Sequence, residues 1–233
     1  VNADESDPNE FGQDANRLGQ SIARRLSSKE PLPRSIARMS LAYGRHRGPA
    51  PVGTRRAAVV VALYKSPAAT GSDQWIIPLT LRPRTLQHHG GQISLPGGRI
   101  EPGEDAYTAA LREFDEELGI QPQVLQRCGE LSSQYVFASG NLVRPVVTIV
   151  QAPDQPWKPD PVEVEKVIEL PLSVLTDGRH RVRPTRQIAV RNQGREVGSL
   201  TMETPAIDFE DHHIWGATAL ILDQLAQILR PIV

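Results

Sequence analysis

An α/β/α sandwich is the fold class this sequence predicts, and three observations predict it. Residues 57–64, Ala-Ala-Val-Val-Val-Ala-Leu-Tyr, form an unbroken apolar run of strand length, as expected of a strand buried on both faces. The stretches 13–27, 107–118 and 214–229 carry apolar residues at helical spacing. Between them lie further β-rich runs bounded by Pro, Gly, Asn and Ser. A chain of 233 residues can bury a sizeable core, and we expect one domain with extensions. The division expected is an N-terminal extension, 1–55, and a main domain, 56–233.

Residues 1–10 are polar and acidic and predict disorder. From Gln13 to Ser27, Ala15, Leu18, Ile22 and Leu26 share a helical stripe, with Arg24 and Arg25 off it. That pattern predicts a helix docked on the core; a homodimer contact is the alternative. Residues 29–56, rich in Pro, Gly and Arg, predict a connector with a short helix near Ile36–Tyr43. Strands follow at Ala57–Tyr64 and Gln74–Leu81, then a loop, Arg82–Gly98, dense in Gly, His and Arg. Further strands are expected at Cys128–Tyr135, Arg144–Val150 and Val164–Pro171. Arg186–Val190 and Gly198–Glu203 predict a hairpin around Asn192-Gln193-Gly194. Ala217, Ile221, Leu225 and Ile228 predict a packed helix over Ile214–Leu229.

A formal net charge of −1 gives no global field to recruit nucleic acid or an anionic membrane. The single cysteine, Cys128, cannot form an internal disulfide and suits a reducing cytoplasm. No apolar run approaches the roughly 18–20 residues of a membrane-crossing helix, and neither a signal-peptide pattern nor a peroxisomal address is expected.

The informative stretch is 98–120, Gly-Arg-Ile-Glu-Pro-Gly-Glu-Asp-Ala-Tyr-Thr-Ala-Ala-Leu-Arg-Glu-Phe-Asp-Glu-Glu-Leu-Gly-Ile. On a helix, Glu113, Glu116 and Glu117 fall within about 100° of one another. Tyr107, Ala110, Leu111, Phe114 and Leu118 form the neighbouring apolar stripe, and Gly119 stands where a C-cap belongs. Like charges at this spacing cost roughly 0.2–0.5 kcal/mol per pair, which a bound divalent cation would relieve. Carboxylates without Cys or metal-spaced His select hard cations, Mg²⁺ or Mn²⁺ over Zn²⁺. The adjacent pairs His88-His89 and His212-His213 read as loop or packing histidines. No Gly-x-Ser-x-Gly elbow surrounds Ser94, and no Walker loop is present.

The fixed points Gly98, Glu104, Arg112, Glu113, Glu116, Glu117 and Gly119 match by chance on the order of 10⁻⁹ per starting position. Their spacing, Gly-x5-Glu-x7-Arg-Glu-(apolar)-x-Glu-Glu-x-Gly-(apolar), resembles the signature of the Nudix hydrolases, with Phe114 bulkier than the usual aliphatic residue. The resemblance implies a mixed sheet within the α/β/α sandwich and hydrolysis of a nucleoside diphosphate linked to another group. It implies that Glu113, Glu116 and Glu117 bind the metal and that Arg112 positions the glutamates. Glu104 is either a water-binding or supporting group or simply a charge favoured by the helix dipole. The general base varies across the family; Glu163 and Glu165 are the candidates outside the box.

The loop before the box, Leu79-Thr80-Leu81-Arg82-Pro83-Arg84-Thr85-Leu86-Gln87-His88-His89-Gly90-Gly91-Gln92-Ile93-Ser94-Leu95-Pro96-Gly97-Gly98, resembles the extra motif of the coenzyme A pyrophosphatase branch. Leu79, Thr80, Arg82, Gly91, Pro96, Gly97 and Gly98 match in register; Pro83, Gln87 and Leu95 depart. Gln87 removes a cation that would hold a CoA phosphate and leaves Arg82 and Arg84 for that task. Ser139–Val147, Glu163-Val164, Glu169–Leu172 and Ile214–Ala219 are similar to the same branch. That resemblance implies a small nucleotide substrate, CoA or an acyl-CoA; the alternatives are another nucleoside diphosphate derivative, ADP-ribose or a dinucleotide, and, behind it, a non-catalytic binding module of the same fold. Arg82, Arg84, Gly97 and Gly98 are the expected binding residues, Arg82 first because its guanidinium can grip a phosphate bidentately.

Overall fold

The computed structural model describes residues 8–33, 50–67, 73–86, 90–136, 139–192 and 195–230. The helix expected near Ile36–Tyr43, the tripeptide Gln87-His88-His89 and the hairpin tip 193–194 lie outside them.

The apolar run of the sequence is the middle of β1 (Arg55–Pro67), the centre of a mixed sheet. β1 pairs in parallel with β7 (Asn141–Val150), from Arg55 opposite Asn141 to Leu63 opposite Ile149. On its other edge it pairs antiparallel with β4 (Gly97–Arg99) through residues 57–59, and with β2 (Asp73–Leu81) through residues 64–67. β2 in turn carries β3 (Ile93–Ser94) and β8 (Lys166–Pro171), while β7 carries β5 (Val124–Glu130) and β6 (Gln134–Val136).

Both faces of β1 are buried, which is why its sequence does not alternate. Ala57, Val61 and Leu63 enter one core with Val143, Val147 and Ile149 of β7. Ala58, Val60, Ala62 and Tyr64 enter the other with Val146 and Val150. Two helices cover the first layer, α1 (Pro8–Ser27) and α4 (Gly216–Leu229). A single helix, α2 (Ala106–Leu118), covers the second. The result is an α/β/α sandwich.

The α1 stripe behaves as a docking face: Ala15, Leu18 and Ile22 are buried in the first core, and Leu26 packs against it. A Cβ on Gly19 would stand 2.9 Å from Cγ1 of buried Ile149 on β7 and 2.2 Å from the Gln126 side chain on β5, so glycine lets the helix approach the sheet that closely. The alternative use of the stripe, a dimer contact, would require residues already buried within one chain.

Several boundaries differ from those expected. The run Cys128–Tyr135 is two strands rather than one, because 131–133 leave the ladder between β5 and β6. The loop 82–98 contains β3 and β4, too short for any periodicity to mark. α4 starts at Gly216, two residues late, since His212–Trp215 is a strand (β13) paired with Ala206–Phe209 (β12). β12 also pairs with Arg181–Val182 (β9), making a three-stranded sheet that follows the short helix α3 (Leu172–Thr176). Between β9 and β12 runs the expected hairpin, β10 (Thr185–Asn192) and β11 (Arg195–Glu203). A fully enclosed ion pair, Arg181 Nε to Asp223 Oδ1 at 3.1 Å, fastens the small sheet to α4. Arg181 also donates to the Leu175 carbonyl, and Gln227 donates to Asp223, so the buried charges keep hydrogen-bond partners. No described helix is long and apolar enough to cross a membrane.

Candidate active site

The chain enters α2 through a cap: the Asp105 side chain accepts from the Thr108 amide at 2.7 Å. It leaves through Gly119, which is left-handed (φ 67°) and donates its amide to the Asp115 carbonyl. Ala106, Ala109, Ala110, Phe114 and Leu118 bury one side of the helix. The adjoining side then presents Glu113, Glu116 and Glu117 along the rim of the sheet, beside β4.

Arg112 organises this side. It grips Glu104 in a two-pronged bond, Nε to Oε1 at 2.9 Å and Nη2 to Oε2 at 3.1 Å. Nη1 donates to Glu113 at 2.9 Å and to Glu116 at 3.1 Å, and Nη2 also reaches the Arg99 carbonyl at 3.1 Å. The helix is thereby tied to the end of β4. Arg112 holds the Glu104 carboxyl below its ordinary range, helped by the Glu101 amide. Glu104 thus meets Arg112 from the loop that precedes α2.

Glu117 differs from its neighbours. Its side chain is 3% exposed against 58% for Glu116. Burial pushes the Glu117 carboxyl up to about 8, against the pull of Arg82 and the Gly97 amide. Arg82 Nη1 stands 3.6 Å from Oε1, and Gly97 N lies 3.3 Å from Oε2. Burial likewise raises Glu113, with Arg112 opposing.

Gly97 and Gly98 form the floor under these carboxylates. Gly97 has φ 150°, and a Cβ there would come within 2.3 Å of the Ala58 carbonyl. A Cβ on Gly98 would stand 2.4 Å from the Glu113 carboxyl carbon, so any side chain at 98 displaces Glu113.

The donor set suits a hard divalent cation: it is oxygen-only, anionic and within about one helical turn. Among the described residues, no three Asp, Glu, His or Cys groups form a ready ion cage. Arg112 supplies the positive charge next to Glu113 and Glu116 instead.

Arg82 heads a closed loop: its amide donates to Gln92 O at 3.0 Å and its carbonyl accepts from the Gly91 amide at 2.9 Å. Arg84 follows on the exposed turn, its Cγ 3.3 Å from where a Gly91 Cβ would be. Arg82 therefore joins the glutamates, while Arg84 lies further out on the loop.

Glu163 comes from a distant segment. The Lys158 amide donates to the Leu118 carbonyl at 3.0 Å, and the Asp160 amide to the Glu117 carbonyl at 3.2 Å. The strap 157–165 thus lies against the C-terminus of α2, and the Glu163 charge contributes to raising both Glu113 and Glu117. The Glu165 amide donates to the Leu81 carbonyl, closing the strap beside Arg82.

Sequence reasoning missed Trp157, which packs between Tyr64 and Phe114 at 6.1 Å from each ring. Its Nε1 donates to Glu169 Oε1 at 2.9 Å, the oxygen that also accepts from the Tyr64 hydroxyl. It missed Asp160 as well; the Asp160-Pro161 turn signal was the only trace of that residue in the sequence.

The NUDIX domain family matches residues 54–190. An uncharacterized Nudix hydrolase, NudL, from Photorhabdus laumondii is 34% identical over 176 residues, 74% of this chain and 84% of the relative. Its counterpart in Salmonella paratyphi B is 34% identical over 174 residues, 74% of this chain and 81% of the relative. Among solved structures, the Nudix hydrolase RenU from M. smegmatis is 20% identical with a TM-score of 0.38, over 52% of this chain and 72% of that one. The family match takes in β1, β4, α2 and the strap, every element that builds the carboxylate site. The chain belongs to the Nudix hydrolase family and is a pyrophosphohydrolase.

Proposed function

We propose that the protein hydrolyses the diphosphate bond of coenzyme A or an acyl-CoA, giving 3′,5′-ADP and 4′-phosphopantetheine or its acyl form. Nudix hydrolases generally use divalent metal ions; Mg²⁺ or Mn²⁺ held by Glu113, Glu116 and Glu117 is the form proposed here. When bound, the ion neutralises phosphate charge that would otherwise repel the attacking water. Arg112, locked by Glu104, keeps Glu113 and Glu116 on the same side of the helix. Arg82 contacts one substrate phosphate and Arg84 a more distal one. Gly97 and Gly98 bind the substrate side of the site through their backbone, and the absence of a side chain at 98 lets Glu113 keep its place there. Glu163 accepts a proton from the attacking water as the second phosphate leaves. We assign these roles to residues 56–233 and treat 1–55 as an extension whose helix α1 braces the sheet.

The observation that carries this reading is the closure of the 82–92 loop, which stations Arg82 beside Glu117. In that position a cation that binds phosphate adjoins the anions that bind metal. Gln87, where the coenzyme A motif has arginine, favours a second reading: another nucleoside diphosphate derivative, ADP-ribose or a dinucleotide. A substrate panel with Mg²⁺ and identification of both products decides between them. Release of 3′,5′-ADP from CoA, with slower cleavage of dephospho-CoA, is expected. Turnover of ADP-ribose without turnover of CoA rejects the preferred substrate.

A further inference from the structure

Within the strap that carries Glu163, one exposed residue, Asp160, makes four hydrogen bonds. Its amide donates to the Glu117 carbonyl at 3.2 Å. Its carbonyl accepts from the Glu163 amide at 3.1 Å and the Val164 amide at 2.8 Å. Its side-chain Oδ1 accepts from the Val162 amide at 2.9 Å. Asp at the first position of a turn and Pro at the second form a pre-organised start, and the side-chain bond fixes the following residues. One residue thus joins the backbone of Glu117 to the backbone of Glu163.

Two neighbouring anchors limit what else can move. Upstream, Trp157 is fixed by Glu169, Tyr64 and Phe114. Downstream, Val164 is buried and the Glu165 amide is tied to Leu81. Between these anchors the turn is exposed, so side-chain packing does not set the place of Glu163. Within it the Asp160 backbone holds the Glu163 and Val164 amides, and the Asp160 side chain fixes the intervening Val162 amide, which no other residue of the turn is shown to hold.

We propose that Asp160 is a positioning residue that sets the Glu163 carboxylate against the Glu113–Glu117 side of α2, acting through its Oδ1 acceptor and not through its charge. The inference rests on Glu163 being the base. A general base must stand within hydrogen-bond reach of the proton it removes, directly or through one water, so freeing the turn lowers kcat. The substrate-binding arginines, Arg82 and Arg84, lie on another loop, and the Glu165–Leu81 bond that joins the strap to it lies beyond the Asp160 turn, so KM is expected to stay unchanged.

The test measures kcat, KM and thermal unfolding of Asp160→Ala, Asp160→Asn, Glu163→Gln and Asp160→Ala/Glu163→Gln in the full chain with Mg²⁺. The substrate is whichever of CoA and ADP-ribose the wild type turns over. Asp160→Ala is expected to lower kcat about tenfold or more with KM unchanged, since small misplacements of reacting groups are costly. Asn keeps an Oδ1 acceptor, so Asp160→Asn should restore kcat. In the Glu163→Gln background, Asp160→Ala should cost nothing further, because no base is left to misplace. Wild-type kcat in Asp160→Ala, or Asp160→Asn as slow as Asp160→Ala, overturns the inference and leaves the base assignment standing. So does an undiminished further loss in the double variant. Full activity in Glu163→Gln overturns the base assignment, and this inference with it.

Discussion

Glu116 and Glu117 are adjacent in sequence and unlike in environment, one exposed and bonded to Arg112, the other enclosed beside Arg82 and Gly97. If both hold the metal, their loss should be felt equally in the reaction despite that contrast. Glu116→Gln and Glu117→Gln are each expected to lower kcat at least ~100-fold, about 2.7 kcal/mol of barrier. Circular dichroism should show both variants folded, since amides can accept the same hydrogen bonds. Full activity in both would defeat the metal assignment. The glutamate pattern was legible because its spacing repeats on a helix. The ion-pair order around Arg112 was not, because Glu104 lies in the preceding loop and Arg99 contributes a carbonyl, which no residue type announces.

At the scale of elements, the C-terminus of α2 is where the helix, the strap and the cap meet. Gly119 caps the helix in a left-handed conformation, and a Cβ there would sit 2.0 Å from the Lys158 carbonyl. Glycine is required twice over, by φ and by space. Gly119→Ala should therefore cost more than the ~1 kcal/mol of an ordinary left-handed cap. It should also reduce kcat by lifting the strap from the helix. Denaturant unfolding and steady-state kinetics on the same preparation check both effects, and unchanged stability would show that the strap does not lean on Gly119. The sequence predicted the cap, which is local; it held no sign that the strap lies on the helix end, a contact that spans some forty residues.

For the whole molecule, Cys128 reports how tightly the layer between α1 and the sheet is closed. The thiol is buried in the first core, and burial pushes it up to about 12 from 9.0. Because the native state holds this proton more firmly than the unfolded chain, stability should fall as pH rises from 9 towards 12. Well below pH 9 the thiol is protonated in both states, and its contribution to stability no longer changes with pH. Alkylation at pH 9 should be more than ~100-fold slower in the native protein than in urea, since the fall in thiolate alone is worth roughly 500-fold and lost access adds to it. Equal rates would mean that α1 does not cover β5 in solution.

What the sequence by itself determined was whatever is periodic or local: the two-faced strand 57–64, the three long helices, the hairpin around 192–194 and the glutamates on one helical face. These follow from the 3.6-residue repeat, from the length of an unbroken apolar run and from turn chemistry, which act within a few neighbours. Only the tertiary structure decided that Arg82 stands over Glu117, that Gly98 is the floor beneath Glu113, and that Asp160 links the helix end to Glu163. Such contacts depend on which segments the sheet brings side by side, and β1 does so by pairing with β4 and β2 on one edge and β7 on the other.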